Sequence, residues 1–281
     1  MYEAFATLAE YLSYPFIINA VICTALVSLC ASLLGTTLVL KRFSFIGDGL
    51  SHVAFGALAI ALVLRVSEDL AIALPVTVLC AILLLRLGQN TKVKGDAAIA
   101  MLSVTALSLG YLLLNKFPAS SNLAGDVCTA LFGSTNLVVL KTSDVIISLV
   151  MCVLTVVFFI VFYNRIFSVT FDENFAAATG TNVKLINTAT AVIIAVVIVL
   201  AMKLVGSLLI SALVVFPALS AMRLCKSFKG VTVCSAAVAL STSVTGILVS
   251  ILVNTPVGAT IVAVQAIVFA VFFIIGKIRK K

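Results

Sequence analysis

From Phe16 to Leu40 the chain carries no charged side chain, and comparable uncharged runs recur to its end. Uninterrupted apolar stretches of about 18 residues or more are long enough, as helices, to cross the hydrocarbon core of a bilayer. Nothing else in the sequence limits the fold so strongly, because a spanning segment must satisfy every backbone polar group internally. The apolar runs mark nine candidate spans, at 16–40, 46–65, 69–87, 97–115, 144–163, 185–202, 204–222, 231–253 and 256–276. The sixth and seventh are parted only by Met202-Lys203, so eight is the alternative count. Hydrophobic side chains make up 63% of the chain and charged ones 10%, against about a quarter charged in soluble domains. The expectation is an all-α, polytopic helical bundle in which residues 1–281 form one transmembrane domain.

The distribution of charge sets orientation. With the N-terminus outside, the inner segments hold all but four (Arg65, Lys116, Lys141 and Lys203) of the 18 Lys and Arg residues. That is the positive-inside pattern of an N-out, C-in protein with an odd number of spans. The net charge of +8 therefore reads as topology signal, and its short clusters do not form a patch that could track nucleic-acid phosphates. Residues 1–15 hold Glu3 and Glu10 but no Lys or Arg, so no cleavable signal peptide is expected. The seven cysteines are scattered with no C-x-x-C pair and read as small packing residues.

Two connections exceed a turn. The outer one, 116–143, contains LFGS at 131–134 and suits a short surface or re-entrant helix. The inner one, 164–184, contains FDENFAAATG. Asp172 and Glu173 there fit a helix N-terminus and Gly180 fits a helix stop.

The segment FSFIGDGLSHVAFGALAIAL, residues 43–62, places Asp48 and the only histidine, His52, inside an apolar run. Four residues apart, both project from one helix face. Three readings are open: a carboxylate at the interface or capping the helix beside a hydrogen-bonded histidine, a proton relay, and half of a first-row metal site. A symmetric dimer meeting on this face would supply two carboxylates and two imidazoles, a donor set suited to Mn²⁺, Fe²⁺ or Zn²⁺. Asn187, Thr188, Thr190, Ser241, Thr242, Ser243, Thr245 and Gln265 are weaker pathway candidates, since such groups commonly bond between helices or to their own backbone. Pro217 is expected to kink its span.

The order of motifs carries a resemblance. LVLKRFSFIGDGLSHVAFGALAIAL, LFGS at 131–134, FDENFAAATGTNVKLIN at 171–187 and MKLVGSLLISALVVFPALSAMRL at 202–224 together resemble the integral-membrane permease subunits of bacterial ABC importers for manganese, zinc and iron. The resemblance implies the helical fold of the larger ABC importers, shared with cobalamin permeases. It implies a location in the bacterial cytoplasmic membrane and a second permease chain lining a common pathway, with metal contact by Asp48 and His52. It also implies an extracytoplasmic metal-binding protein outside and ATPase subunits inside. The ATPase would press on a coupling helix, here Asp172, Glu173, Asn174, Phe175, Ala176, Ala177, Ala178 and Gly180. The metal is then cargo, with no permanently bound cofactor. Consistent with a separate ATPase, the chain has no G-x-x-x-x-G-K-[ST] phosphate loop. The alternative is a proton-coupled secondary transporter. An intramembrane metalloprotease is disfavoured by the absence of H-E-x-x-H.

Overall fold

The computed structural model describes residues 14–66, 70–90, 95–117 and 142–279. The LFGS motif lies outside them. Eleven helices occupy the described residues: α1 Pro15–Leu40, α2 Ile46–Val63, α3 Leu70–Asn90, α4 Gly95–Lys116, α5 Thr142–Val161, α6 Tyr163–Phe171, α7 Glu173–Ala178, α8 Val183–Val205, α9 Ser207–Leu224, α10 Phe228–Val253 and α11 Val257–Ile278. Eight are long and apolar enough to cross a bilayer; the apolar stretch of α3, Leu70–Leu85, is shorter.

Contacts between distant segments decide whether α3 crosses too. Lys41, just after α1, lies 3.0 Å from Glu173 at the start of α7, so both sit at one end of the bundle. With α2, α4 and α5 crossing between them, only a fourth crossing brings the chain back to that end. Helix α3 supplies it: 21 residues rise roughly 30 Å, the thickness of the hydrocarbon core. Phe228, opening α10, packs on Tyr163 and Phe171 of α6 at the same end, and Arg223 of α9 sits over Phe273 of α11. Nine spans satisfy all three contacts. This end carries Lys41, Arg42, Arg165, Lys184, Arg223, Lys226, Lys229, Lys277 and Arg279, and is called the basic end below.

The seam between the sixth and seventh spans falls at Gly206, not at Met202-Lys203. Gly206 has φ +86 and ψ 158, a conformation essentially closed to residues with a Cβ, so the backbone can turn there and the charge at 203 does not set the boundary. Helices α1, α2, α8 and α9 are the most buried spans, whereas α4, α5 and α11 expose most of their surface, as helices bordering lipid should. Helix α1 crosses α9 closely at Gly35, where a Cβ would lie 2.1 Å from the Val214 carbonyl oxygen. Small residues at crossings are how spanning helices gain contact in a solvent as apolar as themselves.

At the basic end a second packing centre forms. Phe159, Tyr163, Phe167 and Phe171 recur every fourth residue, so they share one face across the break between α5 and α6. Each meets Phe228, with ring centroids 6.3, 5.5, 5.4 and 6.1 Å away, respectively. Phe159 and Phe228 are buried there with Ile166, Val169, Ala176 and Ile186. Helix α6, absent from the sequence reading, is thereby fastened to α10. Pro217 lies inside α9 without ending it.

Candidate metal site

Asp48 and His52 occupy the first two turns of α2, starting from the basic end. Glycines aim them. Gly47 and Gly49 stand about 100° to either side of Asp48 around the helix axis. A Cβ on Gly47 would make only an ordinary contact, 3.7 Å from Val214 of α9, whereas one on Gly49 would lie 2.6 Å from the Ile99 Cγ2 of α4. One turn pair further on, a Cβ on Gly56 would lie 2.8 Å from the Ala106 carbonyl oxygen. Helix α2 is thus seated against α9 on one flank and α4 on the other, and Asp48 emerges between them.

The Asp48 side chain is 47% exposed and that of His52 17%. His52 Nε2 lies 3.5 Å from Asp48 Oδ1. Ser211 of α9 points its hydroxyl at the same oxygen from 3.4 Å while also bonding the Ser207 carbonyl at 3.2 Å. His52 Nδ1 is buried without a hydrogen-bond partner among the described residues. No group of three or more His, Cys, Asp or Glu side chains suited to a metal forms among the described residues. Among the described residues, this face therefore gathers two strong donors, Asp48 and His52.

The segment 172–180 folds as its residues require. Asp172 caps α7, its carboxylate accepting from the amides of Asn174 at 2.9 Å and Phe175 at 3.0 Å. Gly180, at φ +84, ends it, with its amide donating to the Ala177 carbonyl and that of Thr181 to Ala176. Glu173 turns inward. The Lys41 ammonium donates to Glu173 Oε1 at 3.0 Å and to Asn187 Oδ1 at 2.7 Å, and Asn187 Nδ2 donates to Glu173 Oε1 at 3.1 Å. Burial pulls the Lys41 ammonium below the ordinary lysine value, and Glu173 partly offsets this. Glu173 is thus paired with a cation, whereas Asp172 remains exposed with one oxygen held by the α7 amides. Ala176 is buried, while Asn174, Phe175, Ala177 and Ala178 are exposed.

Most of the weaker pathway candidates are satisfied locally. Thr190, Ser241, Thr242, Ser243 and Thr245 bond carbonyls of their own helices. Ser243 also meets Ser28 of α1, and Gln265 reaches Thr242. Asn187 belongs to the Lys41 contact, and Thr188 is half-buried on α8. Ser211 and Lys41 were missed as site residues. Lys41 had a signal, a cation directly before the Asp–His segment, whereas Ser211 had none in a span rich in small polar residues.

Relatives share this chain's extent. It is 28% identical over 263 residues to the manganese import system permease protein ScaB of Streptococcus gordonii, covering 94% of this chain and 92% of that one. It is 27% identical over 276 residues to a probable iron transport system membrane protein of Haemophilus influenzae, covering 98% and 99%. The solved structure of PsaBC from Streptococcus pneumoniae in complex with Fab superposes with a TM-score of 0.82 at 27% identity, over 96% of this chain and 95% of that one. The family model described as the ABC 3 transport family matches residues 13–276, and the chain belongs to that family.

Proposed function

We propose that this chain is the membrane permease subunit of an ATP-driven importer, and that a divalent transition-metal ion, Mn²⁺, Fe²⁺ or Zn²⁺, passes Asp48 and His52 on its way into the cytoplasm. The observation that carries the reading is the half-open Asp48 on an apolar span. A carboxylate facing hydrocarbon at the centre of a span costs about 2.5–3.5 kcal/mol even on lenient scales; Asp48, one turn in from the basic end, would incur less, and the reading sets its open face against a water-filled path or another chain. A second permease chain, identical or closely related, placed on that face doubles the donor set and encloses the path. The spacing suits an ion: with both bonds near 2.1 Å, an Oδ1 to Nε2 separation of 3.5 Å corresponds to an angle of about 110° at the metal. Without thiolates among the donors, the ion is held loosely enough to leave.

The basic end faces the cytoplasm of a bacterial cell, with the N-terminus outside and the C-terminus inside. Separate ATPase subunits dock there on Asp172–Gly180, and an extracytoplasmic metal-binding protein delivers the ion to the opposite end. The ABC 3 membership and the manganese and iron relatives support this assignment over a proton-coupled carrier.

The test is uptake of radiolabelled Mn²⁺, Fe²⁺ and Zn²⁺ into proteoliposomes holding this chain with its ATPase and binding protein. Wild-type protein should import at least one of them only when ATP is present. Asp48→Ala and His52→Ala should each bring uptake to background while the protein still inserts. Wild-type rates in either variant would remove the site, and ATP-independent uptake driven by a proton gradient would remove the importer.

A further inference from the structure

The contact among Lys41, Glu173 and Asn187 joins three parts of the chain that otherwise meet little: the turn between α1 and α2, the start of α7, and the second turn of α8. It is a closed triangle, with the ammonium donating to both partners and the Asn187 amide donating back to the carboxylate. The Lys41 side chain is 13% exposed, so it has given up most of its hydration for these two acceptors.

The turn that follows is stiff. The amide of Lys41 donates to the Thr37 carbonyl, that of Arg42 to Val39, that of Phe43 to Leu38 and that of Ile46 to Phe43, and Arg42 takes a left-handed φ of +63. Six residues lie between Lys41 and Asp48; the first two are tied back to α1, and Phe43 in turn accepts from Ile46 at the start of α2. A displacement of Lys41 is therefore carried into the first turn of α2, while a displacement of α7 pulls on Lys41 through Glu173.

We propose that the Lys41–Glu173–Asn187 triangle is the strut that links movement of α7 to α2, and that Lys41 is a positioning residue for Asp48. The proposal rests on the permease reading, in which the ATPase acts on α7. An apolar contact would let the two segments slide. A charged hydrogen bond weakens steeply with distance and angle, and its loss strands a buried charge, so the joint is either made or broken. That discreteness suits a two-position element. A buried ion pair that only adds stability is the competing account, and the two differ in what they do to coupling.

The experiment uses the complete importer in proteoliposomes, with Mn²⁺ import and ATP hydrolysis measured together. Lys41→Met and Asn187→Ala, both outside the docking segment, should each leave hydrolysis within about twofold of wild type while import falls at least about tenfold, so fewer ions enter per ATP. Mn²⁺ binding by the purified permease dimer should stay within about threefold of wild type, because the strut touches no donor. The exchange Lys41→Glu with Glu173→Lys should restore much of the lost import. Import and hydrolysis falling together, in proportion to folded protein, would overturn the strut in favour of simple stabilisation, as would unchanged import. If Lys41→Met fails to fold, Asn187→Ala removes two of the triangle's three hydrogen bonds, leaves Lys41 paired with Glu173, and decides the same question. A wild-type complex that hydrolyses ATP but imports none of the metals would refute the permease reading, and with it the premise of the strut.

Discussion

Gly35→Ala adds one methyl group where α1 crosses α9, and the surroundings determine its effect. The new Cβ would lie 2.1 Å from the Val214 carbonyl oxygen, 2.9 Å from its carbonyl carbon and 3.1 Å from its Cα. All three are backbone atoms, so no rotamer change can relieve the clash, and the helices must part by about 1 Å. Val214 is also the neighbour of Gly47 on α2, where a Cβ would meet its Cγ2 at 3.7 Å, an ordinary contact with little slack. Pushed off α1, α9 either presses on α2 or carries Ser211, already 3.4 Å from Asp48, out of reach. The overpacking should cost about 1–3 kcal/mol of stability. The displacement is several times the ±0.2 Å tolerance of a metal–ligand distance, so metal uptake should fall at least about tenfold. Gly47→Ala is the control: it adds the same methyl on the other side of Val214 without a clash and should keep uptake within about twofold of wild type. Paired measurements of Mn²⁺ uptake and thermal unfolding in detergent check both. Near-normal uptake by Gly35→Ala, or equal damage from Gly47→Ala, would refute the account of how α2 is positioned.

Two further outcomes follow from the basic end. Asp172→Ala removes the cap of α7 and should cost about 0.5–2 kcal/mol locally, read as faster amide exchange across 173–178 with the spans unaffected. Phe228→Ala removes the ring on which four aromatic residues converge and should destabilise the protein by about 3–5 kcal/mol, read as a lower unfolding midpoint; a stability loss under about 1 kcal/mol would show that the cluster is incidental.

Much of this architecture was legible in the sequence because a bilayer admits few solutions. Length and scarcity of charge placed the eight long apolar helices, with α3 a shorter apolar helix, and Asp172 and Gly180 marked the ends of α7 by their own backbone preferences. Where the reading failed, the cause was long-range or conformational. Lys203 looked like a boundary because charges usually border spans, but the break needs a residue that tolerates φ +86, which only Gly206 provides. Helix α6 was hidden because Phe167 and Phe171 continue the four-residue rhythm of α5. The Asp48–His52 face was readable from a spacing of four. Ser211 arrives 163 residues later, and no local pattern ties it to Asp48. Lys41 was read as an orientation signal, and its partner lies 132 residues away.

The inward turn of Glu173 shapes what α7 offers to another protein. With one carboxylate holding amide hydrogens and the other holding an ammonium, the outer side of α7 presents an aromatic ring and methyl groups, relieved mainly by the Asn174 amide. A protein docked on that side would meet mostly apolar surface, so shape would select it more than charge. Of the two acids at its start, the exposed Asp172 is the one left for dissolved salt to screen.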